Sequence, residues 1–445
     1  MLETDPDVVA SFAFDESRLT PRRSPWAVAR PRDRAEVSAC LRAAGVAHVP
    51  VFTRGAGSGL SGGANASDGA LVVSTRRLDQ ILLIDEVDRI AVVQPGVVTG
   101  DLRRAVAAKG MFYPPDPGSV EMCTVGGNVA TNAGGMCCLK YGVTGDFVLG
   151  IEAVLADGRT VRTGRRTIKG VAGYDLTHLF VGSEGTLGVI TEITLRLLPA
   201  PGPSRAALAT FSSLQSAGHA VTAVAAAGLD LSMLELMDRT VIRALEARSP
   251  MGFDDSVAAV LIAQSDAVGH DVVIEGFAQV CRGAGATEVA TAVDEQESGV
   301  LLAARRMALP ALEALGDWIL DDVCVPKSQV VSLLTGIERL AVDAGVTVGV
   351  FGHAGDGNMH PTIIFDASDP TSTAAAHATF EAITALALEL GGTVTGEHGI
   401  GRLKSRWLDR ELDPVAMQLQ RQVKDLLDPH GLLNPGVIFP ESGSG

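Results

Sequence analysis

Positive charge is what this chain of 445 residues is short of: 36 Lys and Arg stand against 52 Asp and Glu, a formal net charge of −16. A surface of that sign repels phosphate backbones and anionic headgroups. Nucleic acid is excluded as a main partner, and at most peripheral contact with a membrane remains. Cysteine is scarce as well. The six residues, with Cys137 and Cys138 adjacent, show no spacing of a zinc ribbon, a disulfide framework or an Fe–S cluster. They read as reduced thiols of a cytoplasmic protein. No run approaches the roughly 18 consecutive apolar residues of a membrane span. The acidic start, Met-Leu-Glu-Thr-Asp, lacks the basic and apolar regions of a signal peptide. Neither an internal repeat nor a low-complexity segment is found.

Glycine, by contrast, is abundant at 50 residues, and it is clustered. Val348-Gly-Val-Phe-Gly-His353-Ala-Gly-Asp-Gly-Asn358-Met-His360-Pro-Thr-Ile-Ile-Phe365 has two apolar runs around a turn rich in Gly, Asp and Asn, the pattern of a β-hairpin. Centred between Asp356 and Gly357, the hairpin sets His353 directly opposite His360, with Cβ atoms about 4.5–5.5 Å apart. Both imidazoles then reach one metal ion. Thr395-Gly-Glu397-His398-Gly-Ile-Gly401 adds a carboxylate and another His. Two His with one carboxylate form a usual ligand set for a divalent metal with open positions, and Zn, Mn and Fe all suit it. The bland alternative is a tight turn that happens to hold two histidines. With nine His in the chain, three beside Gly-rich turns favour the metal. Asn358 reads first as a turn former and second as a substrate contact.

Hydrophobic content of 47% and charged content of 20% describe a globular protein with a sizeable core. The length suits two or three domains of about 100–200 residues. A helix over Arg34–Ala44 and a strand over His48–Thr53 lead into Arg54-Gly-Ala-Gly-Ser-Gly-Leu-Ser-Gly-Gly63. Glycines there let successive backbone N–H groups approach a ligand as an anion nest. No long amphipathic helix follows, as a dinucleotide fingerprint would require, and the Lys-Ser/Thr ending of a P-loop is missing. Pro115-Asp-Pro-Gly-Ser119 and Thr124-Val-Gly-Gly-Asn-Val-Ala-Thr-Asn-Ala-Gly-Gly135 come next, then Phe180-Val-Gly-Ser-Glu-Gly-Thr-Leu-Gly-Val-Ile190. Three Gly-rich loops edged by strands suggest several backbone surfaces converging on one extended ligand. Pro199-Ala-Pro-Gly-Pro203 marks a boundary. Beyond it, helical stretches such as Leu214–Ala227 and Arg239–Ala247 alternate with short strands, an α+β pattern with helices over a largely antiparallel sheet. After Gly401 the chain reads as helical to about Leu427.

At these residues the chain resembles the vanillyl-alcohol-oxidase-like flavoproteins. The Gly-rich loops resemble their FAD-binding domain. Gly-His-Ala-Gly-Asp-Gly-Asn-Met-His and Gly-Glu-His-Gly-Ile-Gly resemble the 2-hydroxy-acid dehydrogenase branch, which includes D-lactate dehydrogenase and the glycolate oxidase flavin subunit. The match runs from about Trp26 to Asn434-Pro-Gly, and is looser after Gly401 and at Val437. The resemblance implies an α+β fold: a two-subdomain FAD-binding domain over 1–202, and a substrate (cap) domain with a mainly antiparallel sheet over 203–404. A helical segment over 405–445 returns to the FAD domain.

The resemblance further implies that Gly55, Ala56, Gly57, Ser58, Gly59, Leu60 and Ser61 hold the FAD pyrophosphate, with Arg54 among the cofactor contacts. Asp116, Gly118 and Ser119 line the rest of the cofactor, as do Thr124, Gly126, Gly127, Asn128, Thr131, Asn132, Gly134 and Gly135. Glu184, Gly185, Thr186, Gly188 and Ile190 join them, and Asn434 matches a C-terminal Asn near the flavin. Some relatives tether flavin through a His in the first loop, which has none here, so non-covalent FAD is expected. His353, His360 and Glu397 match metal ligands, His398 the base, and Arg305 an Arg that grips the substrate carboxylate. Relatives acting on 2-hydroxyglutarate carry a Lys where Leu320 stands, which disfavours a dicarboxylate and favours a D-lactate-like acid.

The chemistry fits these residue types. A 2-hydroxy acid must lose a proton from oxygen and a hydride from carbon, and no side chain accepts hydride, so a cofactor must take it; the resemblance implies flavin N5. A divalent metal lowers the alcohol pKa, and neutral His398 takes the proton. Arg305 offers a fork to the carboxylate, although the residue type alone fits a surface salt bridge equally. Glu397 and His398 can serve one site only if the backbone is irregular there. Electrons then leave to an external acceptor: a quinone, an electron-transfer flavoprotein or an Fe–S subunit. A homodimer is a compatible assembly. The rival from another class is a metal-dependent hydrolase, which leaves the three Gly-rich loops unexplained.

Overall fold

The computed structural model describes residues 2–17 and 23–440. The chain divides into two compact units. One comprises Met1–Gly134, Gly142–Ala200 and Glu397–Gly445, the other Gly135–Tyr141 and Pro201–Gly396. Among the described residues no helix is long and apolar enough to cross a membrane.

The first unit holds two main sheets. In the four-stranded one, Ala27–Ala29, Leu71–Ser74 and Val51–Arg54 run parallel, with Leu2–Glu3 added antiparallel at the edge. Parallel neighbours need a crossover, and the helix Arg34–Ala47 supplies one. Asp33 starts it by accepting the Glu36 N–H, and His48 ends it at φ 53°. Val37, Leu41 and Ala44 of its buried face pack on Ala27, Val51, Leu71 and Val73. The helix thus outruns its expected end at Ala44, and the strand opens at Val51 rather than His48. His48 in the left-handed conformation cannot belong to a strand. The second sheet is antiparallel, in the order Ile81–Asp85, Ile90–Val93, Val189–Arg196, Val148–Val154, Thr160–Gly164.

The expected helix from Gly401 is also shorter. Only Pro414–Leu427 forms a long helix, while residues 402–413 carry turns and two short pieces, Ser405–Trp407 and Leu408–Glu411. Pro414 has no N–H to continue a preceding helix, and Asp413 caps the new one through the N–H groups of Val415 and Ala416.

The second unit is built on one eight-stranded sheet. Its order is Glu288–Thr291, Arg205–Phe211, Ala259–Ser265, Met233–Asp238, Thr347–His353, Asn358–Phe365, Asp317–Leu320, with Val323–Cys324 also on Asn358–Phe365. All the pairings are antiparallel. Buried faces of Leu214–Ala227, His270–Gly283, Val330–Ala344 and Pro370–Glu389 supply helical core. Gly135–Tyr141 belongs to this unit: Lys140 Nζ meets Asp266 Oδ1 at 2.8 Å and Asp230 Oδ1 at 3.0 Å.

Gly126 shows how tightly the first unit is packed. Helix propensity favours Ala over Gly in Val125–Thr131, but a Cβ there would lie 2.3 Å from Pro95 Cβ and 2.9 Å from Pro95 O. Overpacking should therefore win. Gly126→Ala is expected to lose about 1–3 kcal/mol, read as a lowered Tm; an unchanged or raised Tm would contradict it.

Candidate active site

The hairpin forms, but its register differs from expectation. Phe351 pairs with His360 and His353 with Asn358, so the two histidines are diagonal rather than opposite. The turn takes four residues, Ala354–Gly357, closed by Asp356 and Gly357 N–H groups on His353 O, with Gly357 at φ 90°. A slip of one residue would have turned one histidine to the other face; a slip of two keeps both on the same face. Their rings meet edge to face with centroids 5.2 Å apart, and their ligating nitrogens lie within 4.8 Å. Asn358, expected in the turn, instead opens the strand. It is buried, and its Oδ1 accepts no hydrogen bond among the described residues. Gly396 packs against its carboxamide, where a Cβ would approach to 2.4 Å.

Glu235 was not singled out by its residue type, yet it is central here. The strand Met233–Asp238 sets it directly across from His353, and its side chain is 1% exposed. Glu235 Oε1 lies 2.8 Å from His353 Nδ1, and Oε2 accepts the Arg305 Nε–H at 2.7 Å. Burial would raise its carboxyl, but His353 and Arg305 outweigh burial and hold it below the usual carboxylate range. The available signal was a lone carboxylate in an apolar strand, Met233-Leu-Glu-Leu-Met237, since a buried charge requires a partner.

Arg305 is therefore not a surface residue. It sits buried in the last turn of Glu295–Arg306, its guanidinium 4.7 Å from the Phe351 ring centre, while Arg306 is exposed. Asp322 stands behind the other histidine, 3.6 Å from His360 Nδ1. Its second oxygen accepts the Thr395 hydroxyl at 2.6 Å and the Gly396 N–H at 2.9 Å. Two buried imidazoles on one face suit a divalent metal, and for His353 the carboxylate on Nδ1 orients the ring and raises ligand basicity; the Asp322–His360 separation is too long for the same hydrogen bond. Leu320 is buried and pairs with Thr362, on the face that carries His360.

Glu397 and His398 follow Gly396 and begin the last segment of the first unit. No strand runs through them: the chain bends, and Gly399 takes φ 86°. The irregular backbone needed for adjacent residues to share a direction is thus present, and His398 Nε2 lies 3.6 Å from Glu397 Oε1.

The first Gly-rich loop leaves the carboxyl end of the parallel strand Val51–Arg54, where open α/β sheets take ligands. None of the backbone N–H groups from Gly55 to Ser61 donates to a protein acceptor among the described residues. A Cβ on Gly55 would lie 2.5 Å from Thr124 Oγ1, and one on Gly57, at φ 80°, would overlap the Arg54 guanidinium. A row of unengaged N–H groups on a close-packed glycine loop fits a pyrophosphate. Gly118 borders open space, and Asp116 and Ser119 stand in the same loop.

Side chains of the expected cofactor set mostly face the protein itself. The Arg54 guanidinium donates to Phe14 O at 2.6 Å. Thr124 caps Val125–Thr131 on Gly127, Asn128 Nδ2 donates to Thr99 Oγ1 at 2.8 Å, and Thr131 Oγ1 to Gly127 O at 3.1 Å. Asn132 accepts the Gly145 N–H at 2.8 Å, and Thr186 donates to Ser183 O at 2.7 Å. Gly185 lies beneath the Asn434 carboxamide and Gly188 against Phe180, with Ile190 inside the strand Val189–Arg196. Gly134 ends its segment of the first unit and Gly135, at φ 151°, begins the excursion into the second. Asn434 Oδ1 accepts Thr53 N–H at 3.0 Å, and Nδ2 donates to Glu184 O at 2.8 Å.

Comparison with known proteins identifies two family models. The model of the FAD linked oxidases, C-terminal domain, matches residues 200–438, and that of the FAD binding domain matches residues 25–164. The glycolate oxidase subunit GlcD of Bacillus subtilis is 41% identical over 418 residues, 93% of this chain and 89% of that protein. The chain belongs to the FAD-linked oxidases. The D-lactate dehydrogenase of Archaeoglobus fulgidus is 36% identical over 442 residues, 96% of this chain and 95% of its own. Among solved structures, p-cresol methylhydroxylase with substrate bound shares the fold at a TM-score of 0.81 and 17% identity, covering 100% of this chain and 95% of that one. The vanillyl-alcohol-oxidase-like fold and the FAD-linked oxidoreductase class hold, and the hydrolase alternative falls.

Glu184 ties this FAD-linked oxidase together in its first unit. At φ 49°, it accepts Ile400 N–H at 2.8 Å on Oε1 and Gly401 N–H at 2.8 Å on Oε2. Burial pushes its carboxyl up to about 7, with the Gly401 and Ile400 N–H groups pulling the other way. An acid raised on folding gives stability that is full below the unfolded value near 4.5 and lost as pH rises through the folded value. Tm should fall between pH 4.5 and 7, a loss on the order of 1–3 kcal/mol. Glu184→Gln should flatten that stretch; an identical pH profile in the variant would show that another group is responsible.

Proposed function

We propose that this FAD-linked oxidase converts a small 2-hydroxy monocarboxylate, a D-lactate-like acid first and achiral glycolate as the alternative, to the 2-oxo acid. The observation that carries the proposal is the buried Glu235 carboxylate bridging Arg305 and His353, on the sheet face that also bears His360. That arrangement offers a carboxylate grip and metal ligands side by side. When bound, FAD supplies the hydride acceptor that side chains lack, and a divalent ion, Zn, Mn or Fe, supplies a Lewis acid for the hydroxyl.

The chain's own residues divide the remaining work. Arg305, with Nε held by Glu235, presents its Nη groups to the substrate carboxylate. His353 and His360, with Glu397, are the proposed ligands, and His398 takes the hydroxyl proton as a neutral imidazole. Asn358, with a buried carbonyl oxygen free of protein donors, is proposed as a substrate contact. The Gly55 to Ser61 loop would hold the pyrophosphate through backbone N–H groups. FAD is proposed to be non-covalent, because no His stands in that loop. A buried Leu320 on the His360 face supports a monocarboxylate, since this apolar side chain offers no charge to a second carboxylate. Relatives named as a glycolate oxidase subunit and a D-lactate dehydrogenase support the substrate class. The word subunit in the former supports an external electron acceptor, a quinone, an electron-transfer flavoprotein or an Fe–S subunit. A peripheral, membrane-linked quinone route and a homodimer are compatible with it.

Anaerobic addition of substrate tests the proposal. D-lactate or glycolate should bleach the flavin, and D-2-hydroxyglutarate should do so at least about tenfold more slowly, the scale of an unpaired buried charge. A protein bleached by neither monocarboxylate would overturn it. Leu320→Lys should move the preference toward the dicarboxylate. His398→Ala should retain flavin and metal yet reduce about 10²–10⁴-fold more slowly; an unchanged rate would remove His398 from its role.

A further inference from the structure

We infer that Glu235 is the positioning residue that sets the substrate's two anchor points, the carboxylate grip of Arg305 and the metal-binding nitrogen of His353, in one fixed relation. The inference rests on the function proposed above and deepens it. Glu235 has two carboxylate oxygens, and each serves a different residue: Oε1 lies 2.8 Å from His353 Nδ1 and Oε2 2.7 Å from Arg305 Nε.

Each contact selects a state of its partner. With Nδ1–H on the carboxylate, the lone pair of His353 is confined to Nε2, which is then the nitrogen able to ligate a metal. With Nε–H on the carboxylate, both Nη groups of Arg305 remain for an incoming carboxylate. Phe351 limits the guanidinium further, its ring centre 4.7 Å from Cζ and 5.5 Å from the His360 ring centre. Glu235 itself has little freedom. Its backbone lies between paired strands, opposite Ile262 on one side and His353 on the other, and its side chain is 1% exposed. A 2-hydroxy acid carries its carboxylate and its hydroxyl on adjacent carbons, so the spacing between the two anchors decides whether both can be engaged together. One side chain governs that spacing.

A purely structural ion pair would lower stability on removal and leave ligand binding alone. The readouts are therefore binding by the flavin-loaded, full-length protein. Zn2+ is titrated calorimetrically into chelator-treated protein, and pyruvate binding to the metal-loaded protein is followed by the flavin difference spectrum. Glu235→Gln retains volume but offers one acceptor and one NH2, so it cannot satisfy both donors. Zn2+ affinity should fall about 10–100-fold, the usual effect of losing a carboxylate behind a ligating His, and pyruvate affinity at least about tenfold. Flavin content should be unchanged. If either affinity stays within about threefold of the wild type, the inference is overturned. If Glu235→Gln does not fold, Glu235→Asp decides: it keeps the charge but is one methylene short of spanning both partners. It should lose at least one of the two affinities about fivefold, and retention of both would overturn the inference. A wild-type protein that takes up neither Zn2+ nor pyruvate would overturn the proposed function and this inference together.

Discussion

A carboxylate sealed from water must be neutralised, paired or relocated, because leaving it charged and alone costs several kcal/mol. Glu235 is paired, on both oxygens, and the polar face of the eight-stranded sheet follows from that fact. Its partners come from distant stretches of chain: His353 from a neighbouring strand and Arg305 from a helix end. One strand pairing sets Glu235 across from His353, and the next sets Phe351 across from His360. The two registers together deliver the carboxylate, both imidazoles and the ring beneath Arg305 to a single face. Asp322 lies near His360, 3.6 Å from Nδ1, and through Gly396 N–H holds the chain just before Glu397.

The hairpin was legible because its signals are local. Alternating apolar residues, glycines and an Asp-Gly step specify two strands and a turn within a short window. The length of the turn was not, because two-residue and four-residue turns share the same residue types. The resulting error moved the register by an even number, so the face was right although the pairing was wrong. Asn358 shows the cost of that error. Placed in the turn it would be a turn former; placed in the strand it is a buried amide beside Gly396. Glu235 was harder still. Its meaning depends on residues that lie 70 and 118 positions away, and no local pattern reports such a pairing.

Helix ends were read with mixed success for equally physical reasons. Leu214–Ala227 ended where expected because Gly228 can take φ 64° and stop it. Arg34–Ala47 ran further because His48 takes the left-handed cap, a place that glycine fills most often. Between Gly401 and Asp413 the composition is compatible with helix, but Pro414 and its capping Asp413 restart it instead.

The loops of the first unit carry a different lesson about how a site is written into a sequence. Polar side chains in Gly-rich loops invite assignment to the ligand, yet Thr124, Asn128, Asn132 and Asn434 all bind the protein itself. Glu184 does the same with both carboxylate oxygens. These residues shape the loops, and the first loop presents bare N–H groups from Gly55 to Ser61. A backbone donor is supplied by any residue, so the sequence marks such a surface only through what must be small, as at Gly55 and Gly57. The substrate side is the reverse, with a guanidinium, two imidazoles and two carboxylates whose identity is the chemistry. Substitution should therefore act on the cofactor side through shape and stability, and on the substrate side through affinity and rate. That contrast follows from which atoms are proposed to bind, backbone in the first loop and side chain around Glu235.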